Sequence, residues 1–251
     1  MSVTRDDVLY GRLSLRQPAD GPRINVDTVL LAAYVRDTFP RSGGKALELG
    51  CASGAVSLIL ALRFPSLLSI RGLDIQDELV SLAKGNAFLN SLSDRVSFTS
   101  GDLRNVRCLF PSQDFDCVLM NPPYEEPGRG RLSVSVSERA ARQGLFCSLS
   151  DVASACRYLL KHHGRLYVVF KAGRAAELFS TFSENGLEPK RVRFVHPLPG
   201  RRASVVLVEA LRGGKKGMTV EPPLFIEDGE GNYTKELLSA YTKEGLPCRL
   251  Q

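Results

Sequence analysis

Lys45-Ala46-Leu47-Glu48-Leu49-Gly50-Cys51-Ala52-Ser53-Gly54 is the stretch on which the fold class turns. It reads as a short apolar strand, a glycine-bearing turn and the start of a helical run from Ala55 to Phe64, the nucleotide-type βα unit of doubly wound sheets. Gly50 and Gly54 would let the backbone approach a ligand closely, but the spacing is not GxGxxG, and the lysine and hydroxyl pair of a phosphate-binding loop is missing. A dinucleotide or a nucleoside triphosphate is therefore disfavoured. About twenty residues on, where such units carry a ribose-binding acid, Leu73-Asp74-Ile75 closes a second strand with a carboxylate. Asp102 closes a third after the strand-like run Val96 to Ser100. Any one of these acids alone is more often a loop or helix-cap residue than a ligand contact. Glu48, Asp74 and Asp102 at three successive strand ends are harder to dismiss.

Outward from this unit, strand-like runs at 45–50, 68–74, 95–100, 115–120, 165–171, 189–195 and 203–210 alternate with helical periods. The helical periods are Ala55 to Phe64, Asp77 to Leu92, Asp151 to His162 and Arg174 to Asn185. This alternation predicts an α/β fold: a Rossmann-like, seven-stranded, mostly parallel sheet with helices on both faces. The last two strands are joined only by His196 to Arg201, too short for a crossover helix, so they are expected to form an antiparallel terminal hairpin. Gly164 and Gly186 are placed as C-terminal helix caps, and Ser150 with Asp151 as an N-cap. Ile24 to Val35 reads as a further helix introduced by Asn25 or Asp27. The three acids then gather at the carboxyl edge of the sheet, where open α/β sheets bind ligands.

Asn121-Pro122-Pro123-Tyr124 follows the strand-like run Asp116 to Met120. The prolines fix their own φ and keep Asn121 out of the helical region. An Asn oxygen and a neighbouring carbonyl can together accept both hydrogens of a planar NH2 group, and Tyr124 offers a ring face to a flat base or amide. Adenine N6, cytosine N4, guanine N2 and a glutamine side chain all suit such a pocket. A Pro-Pro loop that merely ends a buried strand is the plain alternative.

Together these residues resemble the class I S-adenosylmethionine-dependent methyltransferases, and within them the group carrying Asn-Pro-Pro-Tyr. The resemblance rests on Leu47 to Gly54, Gly72-Leu73-Asp74-Ile75, Gly101-Asp102 and Asn121 to Tyr124. More narrowly, Gln17 to Leu31 and Pro222 to Glu236 are similar to the bacterial tRNA adenine-N6 methyltransferases that act on valine tRNA. The resemblance implies S-adenosylmethionine as cofactor, held by Asp27, Thr28, Glu48, Gly50, Cys51, Ala52, Gly54, Asp74, Ile75, Asp102, Leu103 and Asn121. It implies a catalytic set of Asn121, Pro122, Pro123 and Tyr124, with Tyr124 stacking on an unpaired or flipped base. One domain is expected over residues 1–251: an N-terminal lid and helix (1–40), a catalytic core (41–211), and a basic linker with a C-terminal tail (212–251).

The net charge of +6 arises largely in the second half. Arg129, Arg131, Arg139 and Arg142 follow the tetrapeptide, and Lys190, Arg191, Arg193, Arg201, Arg202, Lys215 and Lys216 come later. Such a surface would attract a polyanion, so RNA, and tRNA in particular, is the expected partner. Glu125 to Gln143 reads as a mobile loop at the mouth of the site, and Arg212 to Gly217 as a flexible basic linker. The six cysteines, at 51, 108, 117, 147, 156 and 248, show no zinc spacing and read as reduced, mostly buried thiols. No metal site is expected. No apolar run approaches the roughly 18 residues of a membrane span, and no signal-peptide core precedes Leu13, which predicts a cytoplasmic protein. Three alternatives remain open. They are an rRNA or DNA base methyltransferase, a protein glutamine-N5 methyltransferase, which usually brings a helical N-terminal domain, and a non-catalytic cofactor- and RNA-binding protein.

Overall fold

The structure is a computed structural model that describes residues 2–40, 43–122, 147–242 and 245–246. The chain opens on an antiparallel hairpin of β1 (Val3–Val8) and β2 (Leu13–Pro18). Helix α1 (Val26–Tyr34) follows, with Asn25 as N-cap: its side chain accepts from Thr28 N–H at 3.0 Å while Thr28 Oγ1 answers the Asn25 N–H. Then β3 (Gly44–Leu49), α2 (Ala55–Arg63), β4 (Leu67–Asp74), α3 (Asp77–Leu89) and β5 (Val96–Ser100) alternate. The one-turn α4 (Val106–Leu109), β6 (Phe115–Met120), α5 (Leu149–Leu159), β7 (Leu160–Lys171), α6 (Ala175–Glu184), β8 (Leu187–His196) and β9 (Val205–Arg212) complete the core. Two short strands, β10 (Thr219–Val220) and β11 (Leu224–Phe225), and helix α7 (Lys235–Ala240) form the tail.

Among the described residues the main sheet runs β10-β8-β9-β7-β6-β3-β4-β5, with β11 also pairing on β8. The strands from β7 to β5 pair in parallel, and β9 lies antiparallel to both β7 and β8. The expected parallel sheet and reversed terminal hairpin are both present. Successive strand residues feed opposite faces. Ala46, Leu119, Val169 and Leu207 pack with α1, α2 and α3, whereas Leu47, Val118, Val168 and Val208 pack with α4, α5 and α6. Coverage on both faces is why the central strands read as continuous apolar runs.

Several local expectations are corrected. Helix α5 begins earlier than expected, with Ser148 rather than Ser150 or Asp151 as N-cap; Ser148 and Asp151 bond each other's backbone N–H. It also ends at Leu159, and Leu160 already pairs with Phe115 in the sheet. Gly164 therefore caps no helix. It sits inside β7, where the register against β6 shifts between Phe115 and Cys117, and a Cβ there would lie 2.9 Å from the Lys161 carbonyl oxygen. Gly186, at φ +71° just past α6, does take the expected cap position.

The N-terminal hairpin and the two tail strands extend the fold beyond the seven expected strands. The Arg212–Gly217 stretch, expected to be a flexible linker, is pinned: Lys190 Nζ donates to the Lys215 carbonyl at 2.9 Å and to that of Gly217. Arg191 and Arg193 also depart from the expected basic surface. Both are buried on β8. Arg191 bonds Glu209, Glu221 and the Tyr34 carbonyl, and Arg193 bonds Glu236 and the Pro222 carbonyl. These two cations hold the tail to the sheet. Of the described cysteines, Cys51, Cys117 and Cys156 are buried, Cys147 is half-buried and Cys108 exposed; Cys248 lies outside the described residues. Among the described residues no helix is long and apolar enough to cross a membrane.

Candidate active site

The turn from β3 to α2 is held in left-handed backbone at three positions: Gly50 (φ +71°), Ala52 (+45°) and Gly54 (+85°). The two glycines meet that demand for different reasons. A Cβ on Gly50 would meet nothing within 4 Å, so the backbone there faces open space. A Cβ on Gly54 would lie 2.5 Å from Phe98 Cζ, and one on Gly72 would lie 2.4 Å from Phe98 Cδ1. The Phe98 ring thus fills the room that Gly54 and Gly72 leave, and Gly54 serves packing rather than approach to a ligand.

Glu48, at the end of β3, is 4% exposed, and its Oε2 accepts from Ser57 N–H at 2.9 Å and Ser57 Oγ at 2.6 Å. Gly54 offers α2 no side-chain cap, so Glu48 reaches across to satisfy one of the helix's orphan donors. Burial nevertheless pushes its carboxyl up to about 8, against the opposing bonds from Ser57 and with a small further push from Asp74. Asp74, at the end of β4, accepts from Ala52 N–H at 2.8 Å and from Gln76 N–H at 3.0 Å. It clamps the strained turn and the entry to α3, and each oxygen keeps a second lone pair for a ligand. Asp102 accepts from Arg104 N–H at 2.8 Å and from its guanidinium, which holds the carboxyl below the usual range. The Cys51 thiol is driven well up by burial and by the nearby Glu48 and Asp74. It is a packed, protonated group rather than a nucleophile.

These strand ends surround one cavity of ≈ 320 Å³. Thr28, Glu48, Gly50, Cys51, Ala52, Asp74, Ile75, Asp102, Leu103 and Asn121 all line it. Asp27 and Gly54 are not among the lining residues: Asp27 lies in the first turn of α1, and Gly54 is turned to Phe98. Asn121 is half-buried directly after β6, and Pro122 is buried behind it. Pro123, Tyr124 and the arginines at 129, 131, 139 and 142 lie outside the described residues, as does the expected loop from Glu125 to Gln143.

The cavity has further walls that sequence reasoning did not place. Pro22, Arg23 and Ile24 close it from the N-terminal side, and Met120 and Cys147 line it beside Asn121. Arg23 bonds Asp6 at 2.8 Å, and the buried Gln17 accepts from Ile24 N–H at 2.6 Å. No periodicity or spacing marks those tertiary bonds in the sequence. Apolar flanks at Ile75 and Leu103, the carboxylates of Asp74 and Asp102 and an open backbone at Gly50 fit a nucleoside that carries hydroxyls and positive charge.

A methyltransferase domain family matches residues 40–186. The chain belongs to that family. The tRNA1(Val) (adenine(37)-N6)-methyltransferase of Porphyromonas gingivalis is 27% identical over 208 residues, covering 80% of this chain and 78% of its own. The release factor glutamine methyltransferase of Aliivibrio fischeri is 30% identical over 166 residues, covering 64% of this chain and 57% of its own. In fold, the chain is similar to a predicted O-methyltransferase, Atu636 of Agrobacterium tumefaciens, with a TM-score of 0.70, 21% identity, and coverage of 88% and 98%. The protein is thus a Rossmann-like methyltransferase dependent on S-adenosylmethionine. Glu48, Asp74 and the open turn at Gly50 line its cavity.

Proposed function

We propose that this methyltransferase modifies the exocyclic N6 of an adenine in tRNA. The observation that carries the proposal is Asn121, half-buried at the end of β6 and lining the same cavity as Glu48, Asp74 and Asp102. The relatives named for tRNA adenine-N6 methylation support the choice of substrate. S-adenosylmethionine supplies an electrophilic sulfonium methyl when bound. Asp74 would accept from the ribose hydroxyls, Asp102 and Leu103 would flank the adenine ring, and Gly50 to Ala52 would hold the methionine end. The Asn121 side-chain oxygen and the Pro122 carbonyl would accept from the target NH2 and turn its lone pair toward the methyl. Alignment then carries most of the rate. The N–C bond would form as the S–C bond breaks and releases S-adenosylhomocysteine; no strong base is needed before attack, because the nitrogen becomes acidic only once methylated, and its proton would then leave to water.

Arg201 and Arg202 are the described part of the proposed RNA surface. They are exposed in the turn between β8 and β9. Lys171 at the end of β7 pairs with Val205, which puts that turn on the same sheet edge as Asn121. A tRNA substrate places the work in the cytoplasm.

The test is transfer of labelled methyl to tRNA, rRNA, DNA and release-factor protein in parallel, with mass spectrometry of the labelled residue. N6-methyladenosine in tRNA with wild-type protein, and none with Asn121→Ala although cofactor binding stays within a few-fold, is the expected result. Full turnover by Asn121→Ala would overturn the assignment. Label in protein would favour glutamine-N5 transfer, the reading to which the Aliivibrio fischeri relative points.

A further inference from the structure

Helix α3 carries two asparagines one turn apart, Asn86 and Asn90, that the chemistry above leaves unused. Each reads the backbone of β2 as a neighbouring strand would. Asn90 Oδ1 accepts from Ser14 N–H at 3.0 Å and its Nδ2 donates to the Ser14 carbonyl at 2.8 Å. Asn86 makes the same pair with Arg16, at 2.8 and 2.9 Å. The match is geometric. Four residues of helix rise about 6 Å, and two residues of strand span about 7 Å, so an i, i+4 pair of amides meets alternate residues of a strand edge. Two side chains thereby satisfy four backbone groups that β1, on the other edge, cannot reach.

Asn86 does one thing that Asn90 does not. Fully buried, it uses its second amide hydrogen on the Ser53 carbonyl at 2.9 Å, inside the turn that lines the cavity. Asp74 holds that turn from one side through the Ala52 N–H, and Asn86 holds it from the other. The strand that Asn86 grips leads directly to Pro22, Arg23 and Ile24, the N-terminal wall. One amide therefore joins the turn to β2, the strand from which the chain runs on to the wall.

We propose that Asn86 is a positioning residue for cofactor binding, coupling the docked N-terminal hairpin to the Gly50–Gly54 turn so that each stabilises the other. The inference rests on the cavity being the cofactor site. By linkage, whatever factor the docked hairpin adds to cofactor affinity is the factor by which bound cofactor favours the docked hairpin.

The test compares Asn86→Asp with Asn90→Asp, each of which replaces an amide donor by an acceptor that faces strand carbonyls. Calorimetry should show S-adenosylmethionine binding weakened roughly tenfold or more in Asn86→Asp, within the usual range for coupled sites, and little changed in Asn90→Asp at a comparable loss of Tm. With saturating cofactor, kcat should stay near wild type in both. Added cofactor should also slow hydrogen exchange at the Ser14 and Arg16 amides in the wild type and not in Asn86→Asp. Wild-type affinity in Asn86→Asp, or equal weakening in the two variants, would overturn the proposal. Asn86→Ser removes the amide without adding charge and replaces Asn86→Asp should the latter fail to fold. Asp74→Ala serves as reference: if it too binds the cofactor normally, the cavity reading fails rather than the coupling alone.

Discussion

Glu48 has two duties, capping α2 through Ser57 and lining the cavity with its carboxyl group. Its folded-state value of about 8 lies above the ordinary 4.5. Below the ordinary value both folded and unfolded chains hold the proton. As pH rises through that window the unfolded chain releases it first, so folding of the cofactor-free protein loses stability between about pH 4.5 and 8. Glu48→Gln keeps an acceptor for Ser57 and should flatten that part of the profile, which thermal melts from pH 5 to 8 would show. An unchanged slope in the variant would refute the assignment. Gly72 makes a second prediction at this scale. Its Cβ would have to sit 2.4 Å from the Phe98 ring, so Gly72→Ala should cost about 1–3 kcal/mol by overpacking, read from urea denaturation.

At the scale of elements, β8 and β9 are joined to the tail through charge buried in the sheet. Glu209 is fully buried and bonds Arg36, Arg165 and Arg191. Burial alone would push its carboxyl up, but Arg191, Arg36 and Arg165 outweigh that and hold it below its ordinary value. Arg191 continues to Glu221, and its guanidinium stacks 3.7 Å from the Tyr34 ring centroid, so the cluster joins α1, β7, β8, β9 and the tail. Glu209→Ala would leave three cations facing one another in the sheet. Loss of one partner from a buried network costs about 3–5 kcal/mol, and equilibrium unfolding should register a change of that order. Cofactor binding in the folded fraction should be little affected, because none of these residues lines the cavity. In the sequence Arg191 and Arg193 are indistinguishable from solvated cations, since charge along a strand says nothing about what covers that face. The α5–β7 boundary departs from its sequence pattern for a related reason: residues 160–162 continue a helical period, but pairing of Leu160 with Phe115 overrides it.

For the whole molecule, cavity-lining groups from four strands converge because parallel strands end on one edge. The same topology puts Arg201 and Arg202 on that edge. Replacing both by Glu should weaken tRNA binding and lower the salt slope by about 0.9 for each phosphate no longer neutralised, leaving cofactor affinity unchanged. Filter binding across a salt series would measure it, and an unaltered slope would remove these arginines from the interface. Much of this architecture was legible in the chain itself. The βα unit at Lys45–Gly54, the strand-end acids, Asn121 at the end of a strand and the reversed terminal hairpin are local patterns, set by side-chain periodicity and by a connection too short for a crossover. What only the tertiary structure decided depends on residues distant in sequence. The role of Gly54 is set by Phe98, the burial of Arg191 by Glu209, and the placement of β2, which leads on to the cavity wall, by amides on α3 about seventy residues later. Backbone groups at an unpaired strand edge must find partners, but the sequence does not say which helix supplies them. Packing settles that choice, because only the folded sheet brings α3, the hairpin and the glycine turn within hydrogen-bond reach.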